Sequence, residues 1–493
     1  MVLVLSSALL LVFSYPPFDL GWVAWGALVP WLVSLERATP RQAFLSGYAA
    51  GLFFFGGTLA WVGHVTVPGA AILIAYLALY FSAWSGLAHR LLTRKGKELL
   101  FCLGLPAGWV GLEYLRASLL GGLGWNLLAH TQWNRIPLIQ IADTTGVWGV
   151  SFLIVGVNTA LYLVVSRGPR RSFPALCWAG VCLLGAFSYG QIRVYSSDSR
   201  VRPTSPSSPA PVPFKAAVVQ GNIPQPKKWD DAFQEAIWKR YEELTSRAAQ
   251  DRPDLIIWPE TAVPGFLQEP AIRRRMEQIV LSAAVPVLVG VPTEGPEPGC
   301  LYNSAVLFGA DGRLRQRYDK LHLVPFGEFV PLKPLFGWLN QVVPIGSFSA
   351  GHDRTVFQME PPFSVLICFE DIFPDLSRRF VQAGARWLLV ITNDGWFERS
   401  AASLQHLQAS VFRAVEGRVW IGRASNTGWS GFIDPYGRRL PPPAQLRRFK
   451  PGVAEAELQI HPLPSFYVRH GDGFLVVCLG LVGWALFPSR KRL

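Results

Sequence analysis

Apolar positions fall into two regimes along this chain. Long apolar runs cover residues 2–14, 20–35, 43–63, 70–92, 100–118, 147–166 and 174–192, and one more closes the chain at 473–488. A bilayer-crossing helix needs ~20 such residues; most of these runs come near it, and the first two are short. Pro16-Pro17 breaks the first run from the second. The first run lacks a basic leader and an Ala-x-Ala cleavage site, which predicts a retained anchor rather than a signal peptide.

Between the seventh and eighth runs the period shortens. Strand-like stretches recur at 214–222, 254–258, 286–291, 303–308, 364–367, 387–392 and 419–424. Helical patterns lie between them at 230–250, 270–284, 374–384 and 400–417, the first with Phe233, Ile237, Tyr241 and Leu244 on one stripe. Strands alternating with helices predict an α/β domain. Ser196–Pro213 is rich in Ser and Pro and reads as a semi-extended linker. The expected organisation is a multi-span α-helical membrane domain (1–195, about seven transmembrane helices), a linker (196–213), an α/β domain (214–460), and a linker with a last transmembrane helix (461–493).

Composition supports the spans. Half of the 493 residues are hydrophobic, only 16% are charged, and 19 Trp and 31 Phe are present, too apolar for a soluble enzyme of this length. The net charge of +13 does not imply nucleic acid, because Lys and Arg cluster between the apolar runs. Arg37 and Arg41, Arg90 to Lys97, Arg167 to Arg171, and Arg490 to Arg492 fall on one side if every run spans. That side should be the cytoplasm, with both termini inside and 214–460 outside, in the periplasm of a cell with two membranes. The six cysteines show no metal-binding or disulfide spacing, so no metal or cofactor is expected.

Candidate chemistry gathers at the ends of three strand-like segments. Ser364-Val-Leu-Ile-Cys-Phe-Glu-Asp371 delivers Cys368 to the end of an apolar run, with Glu370 just after it. Ile256-Ile-Trp-Pro-Glu-Thr261 does the same for Glu260, and Tyr318-Asp-Lys-Leu-His-Leu-Val-Pro-Phe-Gly-Glu328 carries Lys320 and Glu328. A thiol attacks only as thiolate, a carboxylate can take its proton, and an ammonium can stabilise the anion formed. Each residue alone reads equally as packing or as a solvated surface group.

Together these stretches resemble the Glu-Lys-Cys signature of the nitrilase superfamily. Gln220-Gly-Asn-Ile-Pro-Gln225 with Trp229, Thr392-Asn-Asp-Gly-Trp-Phe397 and Arg423-Ala-Ser-Asn-Thr-Gly428 extend the likeness over nearly all of 214–430. With spans on both sides, the chain resembles the apolipoprotein N-acyltransferase branch of that superfamily. The resemblance implies an α-β-β-α sandwich, Glu260, Lys320 and Cys368 as the catalytic triad, and Glu328 and Glu370 in support. It implies a phospholipid as acyl donor, a diacylglyceryl apolipoprotein as acceptor, and an acyl-thioester on Cys368 between them. The protein is then expected in the inner membrane, as a monomer in contact with the bilayer.

Trp229, Asn393 and Trp396 are candidates for substrate contact, although Asn393-Asp-Gly-Trp396 could equally be a plain turn. Phe336 and Trp338 belong to an apolar stretch, 329–351, whose length and composition favour a lid dipping into lipid over ordinary core. Glu113 and Arg116 share one helix face and are expected to form a structural ion pair. Two other readings compete: a membrane-tethered amidase of the same superfamily with water as acceptor, and a transporter with an extracytoplasmic binding domain.

Overall fold

A computed structural model describes residues 1–93, 98–196, 212–295, 297, 299–325, 327–329, 348–460 and 465–487. The chain forms two compact units, Met1–Arg202 with His470–Leu493, and Pro203–Arg469.

In the first unit every apolar run is helical. Pro40–His64, Val67–Leu92, Val147–Arg167 and Pro169–Tyr195 are long and apolar enough to cross a membrane. Val2–Phe13, Gly21–Leu35 and Gly473–Leu486 are shorter apolar helices. The 21-residue helix Glu98–Ser118 carries Pro106 in its interior. Local chemistry sets the boundaries: Thr39 and Gln42 form a reciprocal capping box, with Pro40 at the first helical position. Small residues then allow close packing. A side chain at Gly51 would place its first carbon 2.6 Å from the Ala78 backbone, so the helices Pro40–Leu59 and Val67–Leu92 meet nearly main chain to main chain.

Glu113 and Arg116 correct the expectation of an ion pair. Both are buried. Arg116 donates to the carbonyls of Leu123, Trp125 and Asn126, while Glu113 Oε1 accepts from the Leu128 N–H at 2.7 Å. Each brackets the irregular segment 123–128, whose backbone groups have no helix or sheet to satisfy them. An unpaired buried peptide group costs more than the modest gain from one i,i+3 pair, and the loop takes both side chains.

The second unit has two sheets. Its strands are β1 (Val212–Gln220), β2 (Leu255–Ile257), β3 (Val287–Glu294), β4 (Leu301–Phe308), β5 (Leu314–Asp319), β6 (Phe363–Ile367), β7 (Trp387–Thr392), β8 (Trp420–Ser425), β9 (Ser430–Ile433), β10 (Gln445–Leu446) and β11 (Gly452–Ile460). One sheet runs in the order β11-β1-β2-β3-β4-β5 and the other β10-β9-β8-β7-β6. β1 to β3 are parallel in the first, and β6 to β8 in the second. These are the most apolar stretches of the unit, as strands covered on both faces require, although β1 carries Lys215 and β8 Arg423. Phe214 of β1 packs against Trp387 of β7, their rings 5.0 Å apart, where the two sheets meet. Helices Gln234–Ala249 and Pro270–Ala283 cover the outer face of the first sheet through Ile237, Trp238, Tyr241, Met276 and Val280. Helices Pro374–Gln382 and Ala402–Gly417 belong to the second sheet. The layers are therefore α-β-β-α.

Candidate active site

Glu260 follows the end of β2. Its carboxylate is buried, 6% exposed, yet fully engaged. Oε1 accepts from Asn303 Nδ2 at 2.8 Å and Oε2 from the Asn393 backbone N–H at 2.7 Å. Lys320 Nζ lies 3.6 Å from Oε1. The turn is tight: Thr261 takes a left-handed φ of 43°. Gly290 of β3 makes room for it, since a side chain there would put its first carbon 2.4 Å from the Pro259 carbonyl oxygen.

Lys320 leaves the end of β5 and is 1% exposed. Its backbone N–H donates to the Asn303 carbonyl, and Nζ reaches Glu328 Oε1 at 2.9 Å and Oε2 at 2.8 Å. Glu328 also accepts from Asn303 Nδ2 and from the Val324 N–H. Burial alone would discharge this lysine, but Glu328 first, then Glu260 and the Cys368 sulfur, hold its ammonium well above the usual range. Glu328 is thus the residue that fixes Lys320.

Cys368 follows β6 with a left-handed φ of 53° and opens a short 3-10 turn, Cys368–Ile372. Burial raises its thiol far above the ordinary value, Glu260 raises it further, and Lys320 pulls it down. The resting sulfur is therefore a thiol that the carboxylate and ammonium both feel. Beneath it is a fully buried polar cluster. His406 Nε2 donates to the Cys368 carbonyl at 3.1 Å, and the ring sits between Asp371 Oδ1 at 2.8 Å and Asp394 Oδ1 at 2.9 Å. Arg423 meets the same two carboxylates, Asp371 at 3.0 Å and Asp394 at 3.5 Å. Burial opposes the imidazolium, but Asp371 foremost outweighs it, and His406 is raised to about 9.

Glu370 lies at none of the reacting groups. Oε1 accepts from the Tyr318 hydroxyl and the N–H groups of Leu321 and His322, and Oε2 from Ile367 N–H. One carboxylate thereby laces the segment carrying Lys320 to the strand carrying Cys368.

Among the substrate-contact candidates, Asn393 is buried with its side chain spent on Gln225 and Asn426, and contributes its backbone N–H to Glu260. Trp229 and Trp396 are 49% and 50% exposed and form no part of the buried cluster. Phe336 and Trp338 lie outside the described residues. The sequence reading missed Asn303, Lys228 and His406. Asn303 had one legible signal, an amide leading into the apolar stretch Ala305–Phe308.

Residues 7–160 match the family model of the apolipoprotein N-acyltransferase N-terminal domain, and 215–464 match that of the carbon-nitrogen hydrolases. A protein named apolipoprotein N-acyltransferase from Geobacter metallireducens is 38% identical over 99% of this chain and 94% of its own length. The chain belongs to the apolipoprotein N-acyltransferase family. A second relative of that name, from Methylococcus capsulatus, is 34% identical over 100% of this chain and 96% of its own. A solved amidase of the nitrilase superfamily from Nesterenkonia, 19% identical, covers 55% of this chain and 98% of its own with a TM-score of 0.41. The Glu260–Lys320–Cys368 grouping lies within the carbon-nitrogen hydrolase region of this N-acyltransferase family member.

Proposed function

We propose that the protein moves an acyl chain from a phospholipid to the α-amine of a diacylglyceryl-cysteine at the N-terminus of an apolipoprotein. Glu260 takes the Cys368 proton as Sγ attacks the ester carbonyl carbon. Lys320 stabilises the tetrahedral oxyanion, the C–O bond breaks, and the lysophospholipid leaves with the proton held by Glu260. The α-amine then attacks the thioester, giving its proton to Glu260. The C–S bond breaks, the amide is released, and Cys368 regains its proton. A thioester suits this sequence because it yields to an amine more readily than to water.

One observation carries this reading: a carboxylate and an ammonium 3.6 Å apart, both acting on one buried thiol. Neither charge can relax into solvent, so each is in place before charge develops on the substrate. Glu328 and Glu370 act by holding Lys320 and its segment. Trp229, Trp396, Phe336 and Trp338 are proposed as contacts for the lipid chains. The charge clusters favour an inner-membrane protein with both termini in the cytoplasm and the α/β unit on the opposite side.

The test is the covalent intermediate. Purified protein mixed with phospholipid should gain a hydroxylamine-labile acyl group on the Cys368 peptide, and Cys368→Ser should gain none. An acyl adduct on any of the other five cysteines would overturn the assignment.

A further inference from the structure

Lys228 is a buried cation that the reaction above leaves unused. It follows the short turn Gln225–Lys227 and is only 3% exposed, while its neighbour Trp229 is half exposed. Its nitrogen has two partners, and both are neutral oxygens: the Glu260 carbonyl at 3.1 Å and Thr261 Oγ1 at 2.6 Å. Among the described residues no carboxylate pairs with it. An ammonium has three donors, so one is left over. Buried lysines without an acid partner are rare, because the charge must be offset by something nearby. What lies nearby is the reacting pair, since the charges of Glu260 and Cys368 both act on Lys228.

The placement also explains a strained backbone. Thr261 is a non-glycine residue in the left-handed region, at the turn that carries Glu260. Such a conformation persists only where its surroundings enforce it. Gly290 yields space on one side, and Lys228 grips both the carbonyl before Thr261 and the Thr261 hydroxyl.

We propose that Lys228 is a positioning residue of this site, pinning the Glu260–Thr261 peptide that presents the base and lending a second positive charge to the thiol and carboxylate. The assignment rests on the acyl-transfer reading for its purpose, but not for its test. Lys320 is locked to Glu328, whereas Lys228 holds no carboxylate and its charge is free to respond to the sulfur. Burial pushes its ammonium down to about 7, against the pull of Glu260 and Cys368. The other charges of its turn point elsewhere: Lys227 packs on the Phe233 ring, and Asp230 caps the Ala232 N–H.

The thiol reports on this without any lipid. Alkylation of Cys368 by iodoacetamide, read by mass spectrometry on its peptide across pH 5.5 to 9.5, measures the thiolate present. Lys228→Met removes donor and charge. Lys228→Gln keeps donors for the Glu260 carbonyl and the Thr261 hydroxyl but removes the charge. Both should alkylate about tenfold or more slowly at pH 6.5, equivalent to a thiol titration raised by one pKa unit or more. The gap from wild type should narrow as pH rises through about 7, where wild-type Lys228 loses its own charge. Lys228→Arg should recover part of the rate. Wild-type alkylation rates in Lys228→Gln across the whole pH range would overturn the charge role. Wild-type alkylation in a folded Lys228→Met would overturn the whole proposal. If the variants slow alkylation while wild type forms no acyl-enzyme, Lys228 stands and the substrate reading falls.

Discussion

Replacing His406 with Leu should expose how the turn that carries Cys368 is supported. In the native site the His406 ring lies between Asp371 and Asp394, with Arg423 on the same carboxylates and 2.8 Å from the ring's Nδ1. Asp371 foremost favours the protonated ring against burial and Arg423, and with it protonated two positive and two negative groups balance. The leucine variant leaves two buried carboxylates facing one guanidinium, and the Cys368 carbonyl without its donor. Raising the imidazole from 6.5 to about 9 is worth about 3 kcal/mol in favour of its charged form. That matches the lower end of the 3–5 kcal/mol expected for breaking a buried pair. For a unit of this size it corresponds to roughly 6–12 °C in Tm. Because the folded value lies above the unfolded one, this stabilisation is fully present below about 6.5 and is lost as pH rises through about 9. Lys228, whose value is lowered, titrates in an overlapping window with the opposite sign. The difference between the two proteins therefore isolates His406 better than either slope. Thermal unfolding in detergent, followed by tryptophan fluorescence from pH 6 to 10, should show a penalty that is largest at pH 6 and shrinks toward pH 10. A penalty constant across that range would refute a charged His406, and no penalty at all would refute the network.

Glu328→Gln keeps one acceptor for Lys320 but removes the charge that holds it, and should slow acyl-enzyme formation about 10–100-fold with phospholipid binding unchanged. An unchanged rate in single-turnover assays would remove Glu328 from the machinery. A reporter phosphatase that works only outside the cytoplasm should be active when fused near residue 230 and inactive when fused after Leu493. The reverse pattern would invert the proposed orientation.

The fold was legible where burial is two-sided. β1 to β4 and β6 to β8 are mostly apolar runs, and the ends of β2 and β6 presented Glu260 and Cys368 directly. β5, Leu-Arg-Gln-Arg-Tyr-Asp, was missed because it is an edge strand whose charges blunt the open side of the sheet. β11 was missed although its buried and partly exposed residues alternate at period two. The supporting residues were hidden for another reason. Asn303 meets Glu260 across 43 residues, and Asn393 meets it across 133. A buried polar side chain is explained by its partner, and no local pattern names a partner so far away. Glu113 and Arg116 show the converse, since helical spacing named a pair that a neighbouring loop had already claimed.

The groups proposed for acyl transfer come from two different sheets. β2, β4 and β5 of one carry Glu260, Asn303 and Lys320, while β6 and β7 of the other carry Cys368 and Asn393. A chain with only one sheet formed holds an ordinary cysteine, its proton undisturbed by acid or ammonium. Glu370 ties Tyr318 and Leu321 to Ile367 only when both halves have met. In the acyl-transfer reading, the Cys368 thiol therefore meets its base and its cation only where the two sheets are joined.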